Sequence, residues 1–80
     1  MANINAKVIL KGGLNWYNKN KITEIYISHS GKKLNSVLEE YNVPLEQVQF
    51  ATVNGKMVKD NEYAIKDGDE IKVIPIIEGG

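Results

Sequence analysis

The chain of 80 residues contains no cysteine and no arginine. Without cysteine it cannot form a disulfide, use a thiolate as a nucleophile or build a cysteine-based metal site. Its single histidine, His29, has no partner at metal-ligand spacing and no carboxylate or nucleophile near it in a catalytic pattern. We therefore expect no catalytic residue, no metal and no bound cofactor, and a chain that is not itself an enzyme.

An excess of charge is also missing, because ten lysines balance ten acidic residues. A nucleic-acid-binding protein normally carries a basic excess on one face, so the composition argues against a nucleic-acid partner. No apolar run is long enough to span a membrane and no signal peptide is visible, which predicts a cytoplasmic protein without a membrane partner. The hydrophobic fraction, 42%, is typical of a folded chain and predicts one small domain over residues 1–80.

Two strands are predicted in the first third of the chain. Residues 6–11 alternate between core-facing apolar side chains and outward-facing ones, with Ile9 on the outer face. Residues 23–28 alternate in the same way, with Tyr26 on the outer face. Gly12 and Gly13 interrupt the first strand, and the residues that follow predict a loop.

This loop contains two neighbouring aromatic residues, Trp16 and Tyr17. They could form an exposed binding platform. A pair of this kind more often folds back as a lid over a small core, and we favour the lid.

One amphipathic helix is predicted in the middle of the chain. Its apolar face is formed by residues at helical spacing: Leu34, Val37, Leu38 and Tyr41. Its first residue is ambiguous, since Ser30, Asn35 and Ser36 are each candidate caps. The helix should end before Pro44, and a single short turn should follow over residues 45–48.

Three more strands are predicted after the helix. Residues 50–53 and 56–59 flank Asn54-Gly55, a strong signal for a two-residue hairpin turn. The turn at residues 67–69 leads into a last strand, whose pairing on one side should stop at Pro75 because proline has no N–H. The order indicates an α+β fold, with a mixed sheet of four to five strands, one main helix on one sheet face, and the last strand beside the first in parallel.

The chain finishes with Ile76-Ile77-Glu78-Gly79-Gly80, which we call the C-terminal tail. We expect it to lie outside the core as a flexible strip of backbone ending in a carboxylate. Two glycines without side chains allow such a strip to enter a slot too narrow for any side chain. For two terminal glycines by themselves, a frayed end or a cloning remnant would be the favoured interpretation.

The segments that precede the tail indicate a function for it. The chain resembles the ubiquitin-like sulfur carriers, the MoaD/ThiS superfamily with the β-grasp fold. The resemblance is carried by the helix and the residues after it, by the hairpin and the turn, and by the terminal glycines: Val37-Leu38-Glu39-Glu40, Val43-Pro44, Val53-Asn54-Gly55-Lys56, Lys66-Asp67-Gly68-Asp69-Glu70 and Gly79-Gly80. It covers residues 34–80, and the first two strands more weakly.

The resemblance implies a mechanism and two kinds of partner. An adenylating enzyme would use ATP to activate the carboxylate of Gly80, and a sulfur source would convert the acyl-adenylate to a thiocarboxylate. Gly79 would pass through the narrow slot of the partner. A sulfur-acceptor enzyme, such as the molybdopterin synthase large subunit or thiazole synthase, would then take the sulfur. Cysteine would not be needed, because sulfur would be carried on the main-chain terminus.

The small subunit of molybdopterin synthase is the favoured type, because the chain has Pro75 and an extended segment at residues 10–14 where that type has similar features. Ile76, Glu78 and Lys33 depart from the pattern. The sulfur carrier of thiamine biosynthesis and a ubiquitin-like protein modifier are the alternatives, and an RNA-associated β-grasp module is less favoured.

The outward residues of the strands also predict where a partner docks. They line the sheet face opposite the helix and continue into the tail. The predicted partner interface consists of Ile9, Tyr26, Phe50, Ile74, Pro75, Ile76 and Ile77.

Overall fold

The computed structural model describes residues 3–17, 20–29, 31–58 and 62–76. The strands in these residues are β1 (Asn3–Leu10), β2 (Glu24–His29), β3 (Val48–Val53), β4 (Lys56–Val58) and β5 (Glu70–Pro75). They form one five-stranded sheet in the order β2-β1-β5-β3-β4. β1 and β5 pair in parallel, and the other three pairs are antiparallel. The last strand therefore lies beside the first, at the centre of the sheet, as predicted.

One α-helix, α1 (Leu34–Glu40), packs on one face of this sheet, which we call the inner face. The helix buries Leu34, Val37 and Leu38. The strand residues that meet them are those at alternate positions: Ile4, Ala6, Val8, Leu10, Ile25, Ile27, Ala51, Val53, Ile71 and Val73. The alternation read from the sequence thus determines which face is buried. The predicted α+β class and the β-grasp arrangement are confirmed.

The beginning of α1 differs from the prediction. The N-cap is Lys33, in extended conformation and without a side-chain capping bond, while Asn35 and Ser36 lie inside the helix. Ser30 lies outside the described residues. The Leu34 N–H donates instead to the Tyr63 carbonyl at 2.9 Å. A backbone group almost thirty residues away therefore satisfies the helix start, and no local pattern could reveal it.

Two short 3₁₀ turns occupy the predicted loops. The turn at Leu45–Gln47 confirms the predicted single turn after the helix. The turn at Leu14–Tyr17 corrects the predicted lid, because Leu14 is buried whereas the side chains of Trp16 and Tyr17 are 69% and 49% exposed. Leu14 closes this side of the core, and the two aromatic rings face outward.

The hairpin between β3 and β4 has the predicted turn. Asn54 and Gly55 both have positive φ, 53° and 88°, as a two-residue turn that follows the sheet twist requires. Val58 packs against the core from β4, as predicted, and Lys59 lies outside the described residues. No helix in the described part of the chain is long and apolar enough to cross a membrane.

Candidate functional site

The candidate site is the place where the chain leaves β5. We call Ile74–Ile76, the last three residues that the structure describes, the tail root. Backbone hydrogen bonds hold it from both sides. The Lys11 N–H donates to the Val73 carbonyl at 3.1 Å, and the Ile76 N–H donates to the Gln47 carbonyl at 2.9 Å. The direction in which the chain leaves the sheet is therefore set by neighbours on both flanks.

Pro75 occupies the one position in this arrangement where a missing N–H has no cost. Successive backbone N–H groups of a strand point to opposite neighbours. Because the Ile76 N–H points toward β3, the Pro75 nitrogen points toward the side of β1, which has already ended at Leu10. Pairing with β1 stops at Val73, while pairing with β3 continues to Pro75. The predicted one-sided stop is confirmed.

The Pro75 ring lies directly on Gly12. A Cβ added to Gly12 would stand 2.5 Å from Cγ of Pro75, closer than real Cβ atoms approach other atoms. Gly12 also has φ +59°, in the left-handed region that favours glycine. Sequence reasoning identified Gly12 only as the residue that ends β1. Gly12 has a second role, because the Pro75 ring packs against it. Sequence reasoning could not identify this contact, since the two residues are far apart in the chain.

The segment Gly12–Tyr17, which we call the aromatic loop, borders the tail root through this contact. Within the loop, the Trp16 N–H donates to the Gly13 carbonyl at 3.0 Å. A Cβ at Gly13 would lie 3.6 Å from Cδ1 of Trp16, so the indole packs beside the two glycines. Trp16 and Pro75 therefore lie near two consecutive residues of the aromatic loop, Gly13 and Gly12.

A half-buried apolar group adjoins the tail root on the outer face of the sheet, the face opposite α1. Phe50 lies opposite Ile74 in the β3–β5 pair, so their side chains share that face. Ile9 lies opposite Lys72, one diagonal step from Ile74. The structure therefore brings together Ile9, Phe50 and Ile74 beside Pro75 and the 43% exposed Ile76.

Tyr26 lies apart from this group. It is opposite Lys7 on β1, four residues before the level of Ile74 and two strands away. At about 3.3 Å per residue and about 4.8 Å per strand, that places it roughly 15 Å from the tail root. Tyr26 is 74% exposed, and its hydroxyl donates to Glu24 Oε1 at 2.7 Å, which raises the pKa of Tyr26. It lines a separate groove of about 430 Å³ with Lys7 and Glu70.

Met57 is an outer-face residue that sequence reasoning missed. It lies opposite Thr52 and is 59% exposed, at the far edge of the sheet from β1. The signal was present, because the hairpin register that follows from Asn54-Gly55 places Met57 outward.

Directly before the opposite end of β5 lies the only buried charged residue in the described part of the chain, Asp69. Its carboxylate accepts hydrogen bonds from the Tyr63 hydroxyl (2.6 Å), the Lys66 N–H (2.9 Å) and the Asn54 side-chain amide (3.0 Å). Burial by itself would raise the pKa of Asp69, but these bonds outweigh it and lower the pKa. The hydrogen bond that the Tyr63 hydroxyl donates to Asp69 also raises the pKa of Tyr63, to about 12. This network connects the hairpin, the segment before β5 and the turn.

No group of three or more His, Cys, Asp or Glu side chains among the described residues could hold a metal ion. Ile77, Gly79 and Gly80 lie outside the described residues.

A model of the ThiS family matches residues 17–80, about four fifths of the chain. The matched part contains α1, the β3–β4 hairpin, the turn before β5 and the tail, but not β1 or most of the aromatic loop. No curated protein matches the chain.

Proposed function

Since the chain belongs to the ThiS family, whose members are small sulfur carriers of the ThiS/MoaD class, we propose that it carries sulfur as a thiocarboxylate on Gly80. The family match carries this proposal. The geometry supports it, because the central strand of the sheet delivers the tail from a root that is held on both sides.

The chemistry needs two steps on the Gly80 carboxylate. A carboxylate is a poor acyl donor, because its oxygen leaves badly. In the first step a carboxylate oxygen attacks the α-phosphorus of ATP, which the adenylating enzyme binds, and pyrophosphate leaves. In the second, a sulfur donor at the oxidation level of sulfide attacks the carbonyl carbon, and AMP leaves with the oxygen. The chain itself binds no cofactor and supplies no catalytic side chain in this scheme.

A defined tail root matters for both steps. The reacting carbon must be held within a few tenths of an ångström of its attacker, and much of the barrier reduction comes from that positioning. The tail has few side chains with which a partner could orient it. Contacts at Pro75, Ile76 and the outer-face residues Ile9, Phe50 and Ile74 would orient the root, and Gly79 would let the backbone pass the slot. Tyr26, roughly 15 Å away, would contact only a partner that covers the whole outer face.

We propose the molybdopterin pathway for the sulfur, with the molybdopterin synthase large subunit as acceptor. The two features that favour this type, Pro75 and the extended segment at residues 10–14, contact each other through Gly12 and so form one structural unit. Delivery to thiazole synthase in the thiamine pathway is the second candidate. Conjugation to target lysines would use the same activation.

Deletion of Gly80 tests the mechanism. The last buried residue of β5 is Val73, so the shortened chain should fold with an unchanged unfolding midpoint. It should nevertheless give no acyl-adenylate when it is incubated with the adenylating enzyme of its organism and ATP, because the reacting carboxylate then lies one residue short of the active site. Intact-mass measurement after addition of sulfide should show one oxygen replaced by sulfur in the unaltered chain only.

Gly79→Ala is the matched variant, because it retains the length of the tail and the terminal carboxylate but adds one methyl group at the slot. It should be activated more slowly than the unaltered chain, without complete loss. Normal adenylation of the chain without Gly80 would contradict the mechanism. Binding of the thiocarboxylated chain to one of the two acceptor enzymes would assign the pathway.

A further inference from the structure

We infer that the aromatic loop is a second docking surface for the adenylating enzyme, and that the enzyme meets it with an apolar pocket rimmed by acidic residues. This rests on the proposed function and adds to it the surface that the enzyme recognises beyond the tail.

Exposure is the first observation. Trp16 is the only tryptophan of the chain, and 69% of it is exposed although the core lies directly beneath the loop at Leu14. Tyr17 is 49% exposed beside it. Large aromatic side chains dominate the energetics of protein interfaces, where they fill pockets on the partner. A pair of exposed rings on one short turn is therefore a candidate anchor.

The ring of Trp16 is also held in place before any partner arrives. The Lys21 ammonium lies 5.2 Å from its centroid, within the range of a cation–π contact. The Asn15 side-chain amide donates to the Lys21 carbonyl at 3.3 Å and closes the loop around this contact. A ring that is already oriented loses less conformational entropy on binding.

The charge around the loop indicates the chemistry of the partner. The chain is neutral overall, yet no acidic residue precedes Glu24 in the sequence. Lys11 and Lys21 are exposed on either side of the aromatic pair. Glu24 itself accepts a hydrogen bond from Tyr26. The loop is thus a local basic surface, which favours an acidic rim on the partner.

Position connects the loop to adenylation. The Pro75 ring packs on Gly12 and the Trp16 indole lies near Gly13, so the aromatic loop lies beside the point where the tail leaves the sheet. Binding energy from groups that do not react can be used to place those that do. An enzyme that must bring a carboxylate in line with a phosphate gains more from a rigid anchor at the root than from a mobile one. Because the rest of the chain has no basic excess, we assign the loop to a protein rather than to a nucleic acid.

The test compares Trp16→Ala with Glu39→Ala in ATP–pyrophosphate exchange catalysed by the adenylating enzyme, with the full-length chain as the varied substrate. Both side chains are exposed, but Glu39 lies on α1, on the sheet face opposite the outer-face residues. Trp16→Ala should raise KM about tenfold or more with kcat changed by less than about twofold, as expected for loss of uniform binding. Glu39→Ala should change either constant by less than about twofold.

Lys21→Glu is a second variant at an exposed position and tests the charge. It should raise KM at low salt, and the increase should diminish as salt is added, because exposed charges are screened. Equal KM values for the unaltered chain, Trp16→Ala and Lys21→Glu would overturn the inference while leaving the proposed function intact. Absence of exchange with the unaltered chain would overturn the proposed function, and the inference with it. Loss of binding to a single-stranded RNA oligonucleotide in Trp16→Ala, with KM unchanged, would assign the loop to nucleic acid and also overturn it.

Discussion

The two ends of β5 are held by different kinds of interaction. Directly before its first residue, the buried carboxylate of Asp69 accepts three hydrogen bonds, one from the hairpin turn and two from the segment that precedes β5. At its end, backbone hydrogen bonds flank Val73 and Ile76, and the Pro75 ring rests on Gly12. Both ends are fixed, but only the second leaves apolar side chains exposed to solvent.

This difference indicates a division of tasks along one strand. A fully satisfied buried polar network fixes a unique arrangement and is costly to break. A contact between a glycine and a proline ring depends on shape alone, and it leaves the outer side of the root free for a partner. We therefore expect changes at the Asp69 end to lower stability, and changes at the Pro75 end to lower the rate of activation as well.

The largest expected effect is that of Asp69→Asn. An amide in place of the carboxylate points its NH₂ group at donors that need an acceptor, and it removes the charge that strengthens the bonds. The free energy of unfolding should fall by about 2–4 kcal/mol, as measured by urea denaturation.

Asp67→Asn is the matched control for this change. Its carboxylate accepts from the exposed Asn5 N–H at 2.8 Å, a bond that an asparagine oxygen can replace. The loss should stay below about 0.5 kcal/mol. Equal losses at the two positions would mean that the Asp69 network adds nothing beyond an ordinary turn.

The next effect is expected from Gly12→Ala. The new Cβ would overlap Pro75 Cγ and would also occupy a left-handed backbone, so we expect a loss of about 2–3 kcal/mol. The tail root must move to relieve the overlap, so the rate of adenylation should fall as well.

Gly31→Ala is the control that separates the backbone strain of a positive φ from the steric overlap with Pro75. Gly31 also has positive φ, but an added Cβ would meet nothing within 4 Å. It should cost about 1 kcal/mol and leave adenylation unchanged. If the two glycine variants were adenylated equally well, the Gly12–Pro75 contact would have no role in directing the tail.

The smallest effect concerns pH and the Tyr63–Asp69 hydrogen bond. Because the pKa of Tyr63 is raised to about 12 from 10.0, the folded state holds its proton more tightly than the unfolded state. The stabilisation is complete below pH 10 and is lost as the pH rises from 10 toward 12. Tyr63→Phe should be less stable by about 1.5 kcal/mol at pH 8, and the difference should diminish over that range.

Asp69 gives the opposite dependence in acid. Its pKa is lowered from 3.8, so its contribution is present above that pH and is lost as the pH falls through the lower value of the folded state. Thermal unfolding midpoints measured from pH 2 to pH 12 on the unaltered chain and on Tyr63→Phe test both signs. A constant difference between the two proteins above pH 10 would contradict the role given to Tyr63.

The fold could be predicted because its determinants are local. The alternation of apolar and polar residues predicted which strand face is buried, and Asn54-Gly55 predicted the hairpin turn. The missing N–H of Pro75 predicted where pairing with β1 stops. The start of α1 could not be predicted, since the group that satisfies Leu34 comes from Tyr63. The Asp69 network was not predicted either, because one of its donors, Asn54, belongs to the hairpin turn between β3 and β4.

The candidate site was predicted less completely. Phe50 and Ile74 are paired on the outer face as expected, but Tyr26 is distant, because its position depends on strand order as well as on alternation. The lid that we favoured for Trp16 and Tyr17 was wrong, because Leu14 supplies the core contact that an aromatic lid would have made. The roles of Gly79 and Gly80 stay predictions.

The central place of β5 has a consequence for how the protein is made. The strand that joins β1 to β3 is the last to leave the ribosome, so the two halves of the sheet cannot unite until synthesis has passed residue 70. Pairings between distant segments also form slowly. A chain that stops before β5 has no sheet centre, exposes unpaired strands and is a target for proteolysis. Cellular quality control would thereby remove carriers whose synthesis stopped before β5.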